Sequence, residues 1–161
     1  MSGGGNNIRP DKRHGNRHMS GEIVPLYEVC PDIGPEMRQI TVRHHQHLPN
    51  GVYDLVDAYC GDPECDCRVA YLFVIRDTQP TAVLASITFG WEPLEFYANW
   101  IGVNDEITRD LKGPALMPMA PQSELAPAIL ELVIQRLREH GYVELLKRHY
   151  RQFKAALRRQ R

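Results

Sequence analysis

The sequence lacks the long hydrophobic run that a membrane-spanning helix requires. No apolar stretch among the 161 residues approaches the roughly 18 positions needed to cross a bilayer. The first 20 residues are polar and basic, without the apolar middle part of a secretory signal peptide. We therefore expect a cytoplasmic protein with no membrane segment.

Recognisable enzyme motifs are also missing. The chain contains no glycine-rich phosphate loop, no Gly-x-Ser-x-Gly nucleophile elbow and no His-Glu-x-x-His motif of zinc proteases. Its composition, 43% hydrophobic and 24% charged, is ordinary for a globular protein. These features argue against an enzyme, unless the enzyme used its cysteines for catalysis.

The net charge of −1 hides a segregation of charge along the chain. Residues 1–18 carry a formal +3, residues 144–161 carry +6, and the segment between them carries −10. A basic C-terminal helix at residues 147–161 could contact nucleic acid, with its cations turned outward, although runs of charge are usually solvent-exposed faces. The cations expected on the outward face of this helix are Lys147, Arg148, Arg151, Lys154 and Arg158.

Cysteine is scarce, and its distribution is uneven. Three of the four cysteines, Cys60, Cys65 and Cys67, lie in the stretch YCGDPECDCR at residues 59–68. Gly61, Asp62 and Pro63 favour a turn that would fold the first sulfur back towards the other two. Three thiolates and one further ligand are typical of tetrahedral zinc, so the spacing predicts a metal site, with Arg68 offsetting the negative charge.

Other interpretations of the three cysteines stay open. Cys65 and Cys67 could form a redox dithiol, or all three could be core residues without chemistry. An iron–sulfur cluster would require Cys30 as a fourth cysteine.

The fourth ligand is less obvious than the other three. His44, His45 and His47 lie in the turn of a predicted hairpin, on the order of 25 Å from Cys60 at ~3.3 Å per residue, so they are at the wrong end of the strand. The same hairpin would bring Cys60 opposite Met37 and hence near Cys30. We predict Cys30 or His149 as the fourth ligand.

Periodicity predicts an α+β fold with one domain at residues 21–161, a Cys-rich turn at 60–67 and a disordered N-terminal tail at 1–20. Period-two alternation and turn residues predict an antiparallel β-meander, with an extended edge at 22–29 and further strands within 37–44, 51–59, 68–77 and 82–91. One short aromatic helix is expected within 92–102, a loop at 110–122, and a C-terminal pair of amphipathic helices from Ser123 onward.

A resemblance to a known group of proteins supports the metal prediction. The segments LPNGVYDLVDAYCGDPECDCRVAYLFV (48–74) and HYRQFKAAL (149–157) resemble uncharacterised bacterial proteins in which a Leu-Pro-x-Gly-x-Tyr strand precedes Tyr-Cys-x4-Cys-x-Cys-Arg. Some of these are grouped with SEC-C-motif zinc proteins. The resemblance implies metal binding through Cys60, Cys65 and Cys67, with Arg68 and, more loosely, His149 carried over.

Three functions are therefore compatible with the sequence. The first is a small binding or interaction module with a structural zinc and an unknown protein partner. The second is a nucleic-acid-associated protein that uses the basic helix. The third is a thiol or metal redox protein.

Overall fold

An antiparallel sheet of six strands organises the chain, of which the computed structural model describes residues 21–102 and 105–160. The strand order is β1-β3-β4-β5-β6, and β2 pairs with β3 beside β1. The strands are β1 (Ile23–Pro25), β2 (Arg38–Val42), β3 (Gly51–Cys60), β4 (Val69–Arg76), β5 (Ala85–Gly90) and β6 (Ala115–Leu116). The predicted α+β class is confirmed, and the predicted tail at 1–20 lies outside the described residues.

The three helices expected in the second half of the chain are present. The short aromatic helix is α2, and the C-terminal amphipathic pair is α4 and α5. The helical segments are α1 (Leu26–Val29), a 3-10 helix at Pro31–Glu36, α2 (Leu94–Ile101), α3 (Glu106–Lys112), α4 (Ala126–Leu137) and α5 (Tyr142–Arg159).

Two local predictions were wrong. The extended edge ends at Pro25, because the next residues form the single turn α1, which the Cys30 backbone N–H closes onto the Leu26 carbonyl. The predicted loop at 110–122 begins inside α3. The Asp105 side chain caps that helix by accepting from the Thr108 N–H at 3.2 Å, so it forms before the Pro-rich residues begin.

The register of the sheet also corrects the sequence prediction. In the β2–β3 hairpin, Val42 pairs with Gly51 and Arg38 with Leu55. Because β2 begins at Arg38, it does not extend far enough along β3 to pair with Cys60. Cys60 pairs instead with Ile23 of β1. The short strand β1 therefore takes the position that residues near Met37 were expected to occupy.

The two faces of the sheet are covered differently. Tyr59 on β3 packs against α5, with its ring 5.5 Å from Phe153 and 5.8 Å from Tyr150 between centroids. Cys60 points to the opposite face because side chains alternate along a strand. On that opposite face α3 lies against β5, where the Thr88 hydroxyl donates to the Asp110 carbonyl.

Candidate metal centre

The structure brings together the three clustered cysteines. One sulfur from each of Cys60, Cys65 and Cys67 lies within 4.8 Å of the others. Cys60 is the last residue of β3, whereas the other two lie in the connection to β4. Cys60 and Cys67 are 7% and 2% exposed, and Cys65 is half-buried.

Backbone hydrogen bonds shape the turn that returns the chain to Cys60. The Asp62 carboxylate accepts from the Glu64 N–H at 2.9 Å, and the Asp62 carbonyl accepts from the Cys65 N–H at 3.1 Å. Gly61 donates to the Glu22 carbonyl at 2.7 Å, which ties the turn to the strand β1. This Asx-type turn is the structure that Asp-Pro sequences favour, and it explains why a spacing of four residues brings two sulfurs together.

Gly21 lies directly against the Cys60 sulfur. A Cβ atom at Gly21 would collide with Sγ of Cys60 and would also crowd Asp62. Position 21, two residues before β1, therefore has to be glycine for the Cys60 sulfur to keep its position.

Two tyrosine hydroxyls hold the end of the turn. Arg68 has a left-handed backbone, with φ of 52°, which is unfavourable for a residue with a side chain. Its carbonyl accepts from the Tyr97 hydroxyl at 2.7 Å, and its N–H donates to the Tyr150 hydroxyl at 3.3 Å. The helices α2 and α5 thus impose the conformation that directs the chain from Cys67 into β4.

Lys154 is a site residue that the sequence analysis misplaced on the outer face of the last helix. It is 3% exposed, and its ammonium donates to the carbonyls of Cys60 at 2.8 Å and Asp62 at 2.7 Å. Lys154 follows Tyr150 by four residues and therefore lies at the edge of the apolar stripe of α5. That spacing was the signal available in the sequence.

Arg68 was expected to offset the charge of the thiolates, but its guanidinium contacts other groups. Its guanidinium lies 2.8 Å from the Asp66 carboxylate and 3.4 Å from that of Glu92, and it stacks over the Phe96 ring at 4.7 Å. Lys154 supplies positive charge at the cluster instead. The hydrogen bond with Cys60 and burial raise the pKa of Cys67, and the charge of Lys154 opposes part of that rise.

The three sulfurs interact strongly with one another. Hydrogen bonds from the Cys65 and Cys67 thiols lower the pKa of Cys60 well below its usual range, and the Asp62 backbone and Lys154 add to the effect. Hydrogen bonds with Cys60 and Cys67, with burial, raise the pKa of Cys65. Because a metal ligand is a thiolate, binding of a cation at the cluster would release the thiol protons.

The two predicted fourth ligands lie elsewhere. Cys30 is half-buried at the end of α1 and does not belong to the cluster. His149 is 1% exposed, and both ring nitrogens contact carboxylates, Nδ1 with Asp57 at 2.7 Å and Nε2 with Glu36 at 2.8 Å. Within the described part of the chain, the cluster comprises three ligands.

His149 instead forms a buried polar group that links α5 to β3. Burial favours the neutral imidazole, but the hydrogen bonds and charges of Asp57 and Glu36 outweigh burial and raise the pKa of His149 above 6.5. The Asp57 carboxylate also accepts from the Tyr59 hydroxyl at 2.7 Å, and Arg148 lies 3.1 Å from Glu36. The stabilisation from the raised pKa is therefore fully present below pH 6.5 and is lost as pH rises through the folded-state pKa.

We expect His149→Gln to remove this part of the pH dependence. As pH rises above 6.5 and through the raised pKa of His149, wild-type protein should lose free energy of unfolding relative to the variant by at most about 1.4 kcal/mol per pH unit, the slope for one proton. Urea denaturation of both proteins at a series of pH values measures the difference. Parallel pH profiles would contradict the assignment.

The remaining candidates from the sequence are separate from the cluster. His44, His45 and His47 lie in the β2–β3 turn, where His45 Nδ1 accepts from the backbone N–H groups of His47 and Leu48. On α5, Lys147 lies 3.2 Å from Glu144, while Arg151 and Arg158 are exposed. Burial of Lys154 and the ion pairs of Lys147 and Arg148 reduce the positive charge that the helix offers to nucleic acid.

Among the described residues, no helix is long and apolar enough to cross a membrane. No protein-family model matches the sequence, and no curated protein or solved structure is significantly similar to it.

Proposed function

We propose that this protein is a metal-binding protein in which Cys60, Cys65 and Cys67 hold a zinc ion. The observation that carries the proposal is the convergence of three sulfurs within 4.8 Å of one another. Around a tetrahedral zinc with Zn–S near 2.3 Å, sulfurs lie roughly 3.8 Å apart, so small movements would accommodate the ion. The resemblance to uncharacterised bacterial proteins, some of which are grouped with SEC-C-motif zinc proteins, agrees with this assignment.

The number of thiolates favours zinc over an iron–sulfur cluster. A cluster of the common type takes four cysteines, whereas the described residues bring three together and Cys30 is not among them. Three thiolates are a donor set that zinc accepts with one further ligand.

The contacts of the site support a structural role within an interaction module. The turn that carries the cysteines is bonded to Glu22 on one side and to Lys154 and Tyr150 of α5 on the other. A metal ion at the cluster would therefore stabilise the contact of the N-terminal strand and the C-terminal helix with the sheet. Such a module would act by binding a protein partner in the cytoplasm.

Elemental analysis of the purified protein tests the metal assignment. We expect about one zinc per chain in wild-type protein, because one cluster of three thiolates is present, and loss of the metal in Cys60→Ser. Cys30→Ser is the matched control, since it removes the one cysteine outside the cluster and should retain the metal.

Two outcomes would contradict the proposal. The first is protein without metal after anaerobic purification in the absence of chelator, which would favour the redox dithiol. The second is equal metal content in the wild-type protein and the Cys60→Ser variant.

A further inference from the structure

An apolar cavity of about 430 Å³ lies directly against the cysteine cluster. The side chains of Cys60 and Cys67 line it on one side, and Ile23, Leu111 and Met117 contribute apolar walls. Cavities that hold small molecules typically measure roughly 300–1,000 Å³ and are mainly apolar. The cavity therefore has the size and lining of a small-molecule site.

The sheet register explains why the cavity reaches the sulfurs. Ala58 pairs with Tyr71, and Tyr71 pairs with Thr88, so these side chains share one face of the sheet. Cys60 lies two residues after Ala58 and projects from the same face. Helix α3 and residues 117–119 form the facing wall.

The mouth of the cavity carries exposed apolar side chains. Ile107 is 69% exposed and Met119 is fully exposed. Among residues 21–102 and 105–160, they are two of the three exposed large apolar side chains, Tyr27 being the third. Apolar side chains that cluster at an opening suggest contact with a partner molecule.

The Tyr71 hydroxyl is a neutral polar group in the cavity wall that is available to a ligand. Tyr71 lines the cavity, and no residue in the described ranges hydrogen-bonds its hydroxyl. The hydroxyl of Thr88, by contrast, is engaged by the Asp110 carbonyl. A ligand with a second polar atom could therefore be oriented by Tyr71.

The charge of the site determines which kind of donor suits the fourth coordination position of the proposed metal ion. Three thiolates around a divalent cation carry a formal charge of −1, which the Lys154 ammonium beside the turn offsets. Another thiolate would place an uncompensated charge in an apolar cavity, which is costly. A neutral nitrogen donor would keep the charges balanced, and zinc accepts imidazole-type nitrogen.

We propose that the cavity binds a small, neutral and mainly apolar molecule of the azole class. Its basic ring nitrogen completes the coordination of the metal held by Cys60, Cys65 and Cys67, while its apolar body contacts Ile23, Leu111 and Met117. The inference rests on the proposed metal binding. It adds that one coordination position faces the cavity.

Cobalt-loaded full-length protein provides the test, because the visible d–d bands of Co²⁺ report its ligands. Titration with 4-phenylimidazole should shift these bands in a saturable manner. The matched probe 2-phenylpyrrole has a similar shape without a basic nitrogen and should leave the bands unchanged.

Variants locate the binding site. Leu111→Trp and Met117→Trp fill the cavity and should weaken the azole at least about tenfold, which corresponds to roughly 1.4 kcal/mol, without removing the thiolate-to-cobalt charge-transfer bands. Tyr27→Trp adds the same side chain at an exposed position outside the cavity and should bind the probe like the wild-type protein.

The outcomes separate the two proposals. Charge-transfer bands with no response to 4-phenylimidazole would overturn the ligand site and leave the metal site intact. Failure to bind cobalt would overturn both. Dimeric cobalt-loaded protein in sedimentation velocity that becomes monomeric in Leu111→Trp and Met117→Trp, with no band shift on addition of 4-phenylimidazole, would identify a second copy of the chain as the occupant and would overturn the azole proposal.

Discussion

Chelation of the proposed metal ion is expected to produce the largest loss of stability. A ligand that binds only the folded state contributes about 4 kcal/mol when its free concentration is a thousandfold above its Kd. The cluster joins the end of β3 to the start of β4 and lies against Gly21, so loss of the metal should weaken these contacts together. Thermal and urea denaturation, followed by circular dichroism with and without chelator, measure the effect.

Two variants control for direct effects of the chelator. On addition of chelator, the Cys30→Ser variant should lose as much stability as wild-type protein, because its cluster is intact. Cys60→Ser should be destabilised without chelator and insensitive to its addition. An unchanged melting temperature of the wild-type protein after complete metal removal would show that the site does not stabilise the fold.

Lys154→Met is expected to cause the second-largest loss in free energy of unfolding. The substitution keeps a long apolar side chain in the buried position but removes the ammonium that donates to the Cys60 and Asp62 carbonyls. Hydrogen bonds from a charged group contribute about 1.5–3 kcal/mol each, so we expect a loss of roughly 3 kcal/mol or more in free energy of unfolding. Metal affinity should fall as well, because the turn loses its support and the thiolates lose a nearby positive charge.

Arg151→Met is the matched control for this substitution. Arg151 lies on the same helix and is exposed, so removal of its charge should change stability little. Urea denaturation and competition for zinc with a chromophoric chelator measure stability and affinity separately. Equal values for the two variants would show that the bonds of Lys154 do not support the site.

Local patterns were sufficient for most of the fold. Strand alternation over residues 51–59 and the apolar stripe of Leu146, Tyr150 and Phe153 are properties of neighbouring residues, and both were assigned correctly. The three-cysteine cluster was also foreseeable, since its members lie within eight positions and a turn sequence separates the first two.

Errors arose where a position depends on distant residues. Helix α3 was missed in part because its cap, Asp105, precedes the Pro-rich residues that dominated the pattern. Cys60 was assigned the wrong partner because the hairpin pattern gives the register of β2 but not the residue at which that strand begins. The approach of β1 from another part of the chain is a tertiary event.

The sequence by itself determined the longer strands, the aromatic helix, the C-terminal pair of helices and the set of clustering thiols, because periodicity and short spacing are local. Only the tertiary structure decided that His149 contacts Asp57 and Glu36, that Lys154 is buried against the Cys60 turn, and that a cavity borders the sulfurs. Each of these depends on how α5 and α3 pack on opposite faces of the sheet. That packing is set by contacts between residues far apart in the chain, which no local pattern contains.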